Sequence, residues 1–127
     1  MTNEEIMRSV FDAWEESIPA AQAAMRKHLT DDCLWEQPPA ATTTGGAEAA
    51  DLLGGMSAMG FQSMAVDLRN VVAVGDLVIT ERVDWMVKDD GARLGPLPVV
   101  GVTEFRDGRI SAWREYFDSK ALESLGG

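Results

Sequence analysis

From the N-terminus to Gly60 the apolar residues recur with a helical period, and beyond Gly60 they alternate. Ile6, Val10, Phe11 and Trp14, with Met7 beside them, form one stripe, which predicts a helix from Thr2 to about Ser17. Thr2 followed by Glu5 has the spacing of a capping box. Pro19 restarts the chain, and Ala20 to about Leu29 reads as a second, Ala-rich helix with Ala21, Ala24, Met25 and Leu29 on its inner side. A short strand follows at Cys33–Gln37, with Trp35 and Gln37 on one face, and Pro38-Pro39 stops it. Ala40 to Gly46 reads as a loop; it contains no lysine and does not match a phosphate-binding P-loop. Ala47 to about Met59 is a third helix, whose Leu52, Leu53, Met56 and Met59 read as core or pocket wall, with core favoured because methionine is mainly an adaptable filler. Gly54-Gly55 interrupts it at a cost of up to about 1 kcal/mol each relative to alanine, which marks a kink or a close approach to a ligand.

The rest of the chain predicts strands. Ser63–Val74, Leu77–Val87, Ala92–Phe105 and Arg109–Asp118 are separated by Gly75-Asp76, Lys88-Asp89-Asp90-Gly91 and Arg106-Asp107-Gly108. Pro96 and Pro98 restrict pairing in the third of these to an edge or a bulge, and Gly101 marks a bend. Ser119–Leu125 is at most a short terminal helix. This order predicts a single α+β domain over residues 1–127, with a curved antiparallel sheet and helices on one face. Helices closing the concave side leave a cone-shaped pocket, mostly apolar with a few placed polar groups.

Two strands carry charge where burial is expected. Alternation puts Val78, Thr80, Arg82, Asp84 and Met86 on one face, and Leu77, Ile79, Glu81, Val83, Trp85 and Val87 on the other. Arg82 and Asp84 are therefore same-face neighbours, and such residues are rarely buried unless paired. A structural ion pair or a wet sheet face accounts for them if that strand is taken alone. In the last strand Ser111, Trp113, Glu115 and Phe117 share one face, and Ile110, Ala112, Arg114 and Tyr116 the other. Glu115 thus sits between two aromatic residues, a setting that raises a carboxyl pKa unless a cation is near. If the two strands share a sheet, Arg82 is that cation. Two carboxylates with an arginine between them form an acid–base device.

Composition narrows the partners. A net charge of −10 over 127 residues argues against nucleic acid or an anionic membrane surface, and suits a neutral or apolar small molecule. Cys33 is the single cysteine and His28 the single histidine, which excludes an internal disulfide and a thiolate cluster and disfavours a histidine metal site. His28, near its helix's C-terminus, reads as a dipole contact or a solvent-exposed side chain. No metal or cofactor is expected. The acidic start Met-Thr-Asn-Glu-Glu lacks the apolar core of a signal peptide, and no apolar run approaches a membrane span, so the expected location is cytoplasmic.

Thr80-Glu81-Arg82-Val83-Asp84, Val100-Gly101-Val102, Asp107-Gly108-Arg109-Ile110 and Trp113-Arg114-Glu115-Tyr116-Phe117-Asp118 resemble the limonene-1,2-epoxide hydrolase family, within the nuclear transport factor 2-like (SnoaL-like) superfamily. The resemblance implies one-step hydrolysis of an epoxide without a cofactor. It assigns Arg82 as the bridge between two acids, Asp84 as the proton donor and Glu115 as the base, where the family usually has aspartate. The family's water-holding tyrosine and asparagine fall on Trp35 and Gln37. With Trp113, Phe117 and Met86 these form the expected substrate- and water-binding set. The pocket suits a hydrophobic terpenoid, steroid or polyketide-like epoxide. The resemblance also implies a homodimer through the outer sheet face, with Glu81, Val83, Trp85, Arg114 and Tyr116 as candidates. Two other readings stay open: a cofactor-free isomerase or cyclase of the SnoaL or ketosteroid isomerase type, and a non-catalytic small-molecule-binding module.

Overall fold

The computed structural model describes residues 1–126, and the side chains of residues 1–123. Helix α1 spans Asn3–Glu16, and the Thr2 hydroxyl caps it by accepting from the Glu5 amide at 3.1 Å. Helix α2, Ile18–His28, begins two residues before the expected start. Pro19 lies inside its first turn, where a missing N–H leaves no bond unmade, and Ser17 caps it through the Ala20 amide. Strand β1 follows at once as Leu29–Glu36, longer than expected. The expected loop Ala40–Gly46 contains a short strand β2, Thr42–Thr44, and the first two residues of helix α3, Gly45–Ala58. Strands β3 (Phe61–Val74), β4 (Leu77–Lys88), β5 (Arg93–Arg106) and β6 (Arg109–Tyr116) complete the sheet, and α4 spans Ser119–Gly126.

The strands form one curved, unclosed sheet in the order β2-β1-β6-β5-β4-β3, with helices packed on it. It is mixed, not purely antiparallel, because β1 runs parallel to β6. Residues 37–108, more than half of the chain, separate those two strands, so no hairpin constrains their direction. In that pair Trp35 lies opposite Trp113. In β5 the prolines sit where the strand has one neighbour: Pro98 pairs with Val83 of β4, while β6 joins only from Val100 onward. The expected alternation slips in β6. Glu104 pairs with Ala112 and Phe105 with Ile110, which leaves Ser111 as an extra residue and turns Ile110 toward the core with Trp113.

The core lies between α1, α2 and the sheet. Phe11, Trp14, Trp35 and Trp113 form its aromatic centre. Trp14 stacks on Trp113 with centroids 5.5 Å apart and planes 9° apart, and Phe11 meets both edge-on. Cys33 is buried in the core, which pushes its thiol up to about 12. His28 is half-buried; burial first, then Lys27 and Arg109, hold its pKa below the ordinary value. On the opposite sheet face Glu81 and Tyr116 are exposed, Trp85 and Arg114 half-buried, and Val83 buried. No helix among the described residues is long and apolar enough to cross a membrane.

Glycines set the spacing of α3. A Cβ at Gly46 would lie 2.5 Å from the Met25 carbonyl oxygen and 2.9 Å from the Arg26 Cα, both backbone atoms of α2. The start of α3 therefore rests directly on the last turns of α2. Gly46→Ala is expected to lower stability by about 1–3 kcal/mol through overpacking; urea denaturation of the variant measures this, and an unchanged midpoint would refute the close contact.

Candidate active site

Alternation along β4 buries Thr80, Arg82 and Asp84 together with Val78. Glu115 arrives on the same side from β6, two residues beyond Trp113. These strands are not neighbours, because β5 lies between them. Two strand spacings amount to roughly 9–10 Å, so a contact between Arg82 and Glu115 requires the Arg82 side chain to cross β5. Gly101 makes the crossing possible. It pairs with Thr80 on one side and Glu115 on the other, and its missing side chain leaves the row open. A Cβ there would lie 3.0 Å from each of Arg82 Nη1, Glu115 Oε2 and Thr80 Oγ1. Gly101, expected from sequence as a bend, is the spacer over which the ion pair forms.

Arg82 binds both acids through different edges of its guanidinium. Its Nε donates to both oxygens of Asp84, at 3.0 and 3.1 Å. Nη1 donates to Glu115 Oε2 at 2.8 Å and Nη2 to Oε1 at 2.7 Å. The Trp35 indole N–H also donates to Glu115 Oε1, at 3.5 Å. All three charged residues are buried, with 2%, 5% and 2% exposure for Arg82, Asp84 and Glu115. Helix α1 covers them: the guanidinium carbon lies 4.7 Å from the Phe11 centroid and 5.5 Å from that of Trp14, within cation–π range.

The charges do not cancel if every group is ionised: one cation faces two anions. Burial pushes Asp84 up to about 6 from its ordinary 3.8, opposed by Arg82 and reinforced by the negative charge of Glu115. Burial alone would lower the Arg82 pKa, but the two carboxylates reverse this and hold it above its usual value. A proton on Asp84 leaves the group neutral, with Glu115 as the carboxylate bound by both Nη atoms. Thr80 Oγ1 is buried beside this arrangement and has no hydrogen-bond partner among the described residues.

Asp84, Arg82 and Glu115 form the polar end of a cavity of about 350 Å³. Trp35, Gln37, Met86 and Phe117 line it as well. Trp113 keeps its expected face beside Glu115 but is fully buried and does not line the cavity, because Trp14 and Trp35, which do line it, pack against it. Tyr116 is exposed on the other sheet face. The helical period assigns Trp14 only to an apolar stripe, and no motif marks Met64, Leu97 or Val99. All four line the cavity, and the alternation within β3 and β5 was the one signal for the last three. Leu52, Leu53, Met56 and Met59 of α3 also form its wall; Leu53 alone is fully buried, and Met59 is 71% exposed. Leu53 belongs to the core cluster, and Leu52 and Met56 pack against it, so these three serve core and pocket wall at once, while Met59 serves the wall alone. Among the described residues no cluster of three or more His, Cys, Asp or Glu side chains is arranged to hold a metal ion.

The spacing argument predicts a specific sensitivity. Gly101→Ala is expected to displace the Arg82–Glu115 pair and to cost about 1–3 kcal/mol of stability. Denaturant unfolding measures the loss, and a wild-type value would mean that the row over β5 has slack.

Residues 3–124 match the family model of the limonene-1,2-epoxide hydrolase catalytic domain. Epoxide hydrolase EphG of Mycobacterium tuberculosis is 38% identical over 95 residues, which is 71% of this chain and 58% of that protein. The chain therefore matches under two thirds of that relative's length. A solved M. tuberculosis LEH-like epoxide hydrolase aligns with a TM-score of 0.77 and 29% identity, covering 95% of this chain and 86% of that one. An NTF2-like protein of Burkholderia pseudomallei aligns with a TM-score of 0.79 over 98% of both chains at 17% identity, a likeness of fold alone. With the match running through every strand that carries the two acids and their arginine, the chain belongs to the limonene-1,2-epoxide hydrolase catalytic domain family.

Proposed function

We propose that the protein hydrolyses a hydrophobic epoxide to a vicinal diol in one step. The observation that carries this reading is a buried arginine shared by two carboxylic groups at the polar end of an otherwise apolar cavity. Epoxide opening at neutral pH needs a proton on the departing oxygen and a base on the attacking water. Asp84, whose pKa is lifted by burial, holds the proton and faces the cavity. Glu115 is the base. A carboxylate offers about four lone-pair positions; Arg82 and Trp35 occupy three of them, and the fourth accepts a proton of the water. Gln37 lines the cavity and carries an amide suited to orient that water.

In the reaction the water oxygen bonds to one epoxide carbon as the carbon–oxygen bond there breaks. The Asp84 proton passes to the released oxygen, and Glu115 takes the proton from the water. The product contains the epoxide plus one water, and the triad keeps its proton count with the proton moved from Asp84 to Glu115. Arg82 stays in contact with both acids, so neither protonation state leaves it unpaired. Titration therefore belongs to the group as a whole.

The wall supplies Met56, Met64, Met86, Leu97 and Val99 and, among the described residues, no charged group besides the triad. It favours a substrate that is apolar apart from its epoxide, such as a terpenoid, steroid or polyketide-like compound. The test is diol formation from a panel of such epoxides in oxygen-18 water. Wild type is expected to place one label in the diol, and Asp84→Asn and Glu115→Gln are each expected to lower kcat by about 10²–10⁴-fold. Absence of diol from every epoxide, or full activity in either variant, would overturn the reading.

A proton-donating Asp84 also sets the pH dependence. With its pKa at about 6 in the folded protein, kcat/KM is expected to fall tenfold per unit above that pH. Stability has the matching sign. The folded state keeps a proton that the unfolded chain releases near 3.8, so the Asp84 contribution is fully present below about 4 and is lost as pH rises to about 6. Asp84→Asn is expected to remove both effects. A pH–rate profile with no descending limb near 6, or one unchanged by that substitution in any residual activity, would exclude Asp84 as the donor.

A further inference from the structure

Helix α3 contains a glycine that neither its backbone nor its protein neighbours explain. Gly54 and Gly55 are adjacent, yet they differ. A Cβ at Gly54 would lie 2.8 Å from the Gln22 side-chain nitrogen, and that nitrogen donates to the Ala50 carbonyl at 2.8 Å. Gly54 therefore makes room for a bridge between α2 and α3. A Cβ at Gly55 would meet nothing within 4 Å, and the residue has no positive φ. Glycine inside a helix lowers its stability relative to alanine, and here no contact among the described residues offsets that loss. Gly55 nevertheless lines the cavity.

Its position identifies what the gap serves. Leu52, Gly55, Met56 and Met59 recur at the spacing of one helix face, and all four line the cavity. Among the lining residues, Ala40, Ala41, Gly55 and Met59 are exposed, so these four border the opening. Three of them are alanine or glycine, and the fourth is an exposed, flexible methionine. The cavity itself, about 350 Å³, is near the lower limit of small-molecule sites at roughly 300–1,000 Å³. A ligand longer than the cavity has to leave through this opening, and its rim is apolar.

We infer that Gly55 is a specificity-determining position, forming a notch through which the distal apolar chain of an elongated epoxide leaves the cavity. This rests on the epoxide-hydrolase reading above and adds a substrate class to it: epoxides whose hydrocarbon part extends beyond the space around the triad. A leucine at position 55 would project into the opening and occupy the path of that chain without touching Asp84, Arg82 or Glu115.

The experiment compares wild type, Gly55→Ala and Gly55→Leu on a series of 1,2-epoxyalkanes from six to sixteen carbons. In wild type kcat/KM is expected to rise with chain length beyond the members that fit inside. In Gly55→Leu the short members are expected to lose less than the long ones, since the added side chain stands at the opening and the triad is untouched. The long members are expected to lose roughly tenfold or more, as each methylene displaced from apolar contact is worth about fourfold. Gly55→Ala is expected to lie between the two. An equal effect at all chain lengths, or none at any, would overturn the inference. Melting temperatures at or above wild type are expected for both variants, and a fall would show that the position packs against the protein and so also overturn it. If wild type hydrolyses no member, the hydrolase reading fails on its own. The notch is then decided by titrating 1,2-alkanediols of the same lengths against the fluorescence of Trp14 and Trp35. A loss of affinity in Gly55→Leu confined to long diols upholds it, and parallel binding by both proteins refutes it.

Discussion

One guanidinium, shared across an intervening strand, is the interaction on which the interior depends. Arg82 projects from β4 and closes on Glu115 of β6, while its Nε holds Asp84 two residues along its own strand. Each of the three groups would be very costly to bury alone. Removing one partner from such an arrangement typically costs about 3–5 kcal/mol because another charge is then left uncompensated. The shared arginine removes that problem only if the acids stand on opposite sides of it at hydrogen-bond distance. Register supplies this. Thr80, Gly101 and Glu115 fall in one row across three strands, and the glycine in the middle opens the path.

Stability alone does not account for such a site, since well-packed apolar residues often serve as well as a buried ion network or better. The aromatic layer contributed by α1, β1 and β6 explains why the charges are useful where they are. Phe11 and Trp14 exclude water from one side of Arg82 and offer it their π faces. The same burial penalises the charged form of Asp84 and holds a proton on it well above the usual carboxylate range. The layer that closes the hydrophobic core thus also belongs to the burial that raises the Asp84 pKa. Core and site are not separable here: Trp14 belongs to the core cluster and to the cavity wall at once.

The chain departs from the pattern it resembles at residues that touch one another. Glu115 is one methylene longer than aspartate, and it is gripped by both Nη atoms of Arg82 and by the Trp35 indole. The resemblance puts a tyrosine, which donates and accepts, where Trp35 offers only a donor. That donor is directed at the Glu115 carboxylate. The two changes therefore act on one group: a longer acid reaches the arginine, and an indole steadies it. Gln37, also a methylene longer than the family's asparagine, remains on the cavity side.

The charged pattern was legible because strand alternation is local. Period two places Arg82 beside Asp84, and Trp113 on the face of Glu115, without any knowledge of pairing. The α1 stripe and its Thr2 cap were legible for the same reason, as was the confinement of Pro96 and Pro98 to a singly paired stretch of β5. Strand order was not. Nothing local states that β1 lies parallel to β6, or that β5 separates the two acid-bearing strands, because those arrangements are decided by contacts between residues far apart in the chain. The extra residue at Ser111 escaped as well, since a bulge appears only when a partner strand exposes the mismatch. The two glycines that matter most show the limit clearly. Gly101 reads as a bend until Arg82 is seen to cross it, and Gly54-Gly55 reads as a kink or a close approach to a ligand until the cavity is seen beside Gly55 alone. Sequence by itself determined which side chains share a face, because that follows from backbone period. Only the tertiary structure decided which faces meet, because the space left by a missing side chain takes its meaning from whatever packs around it.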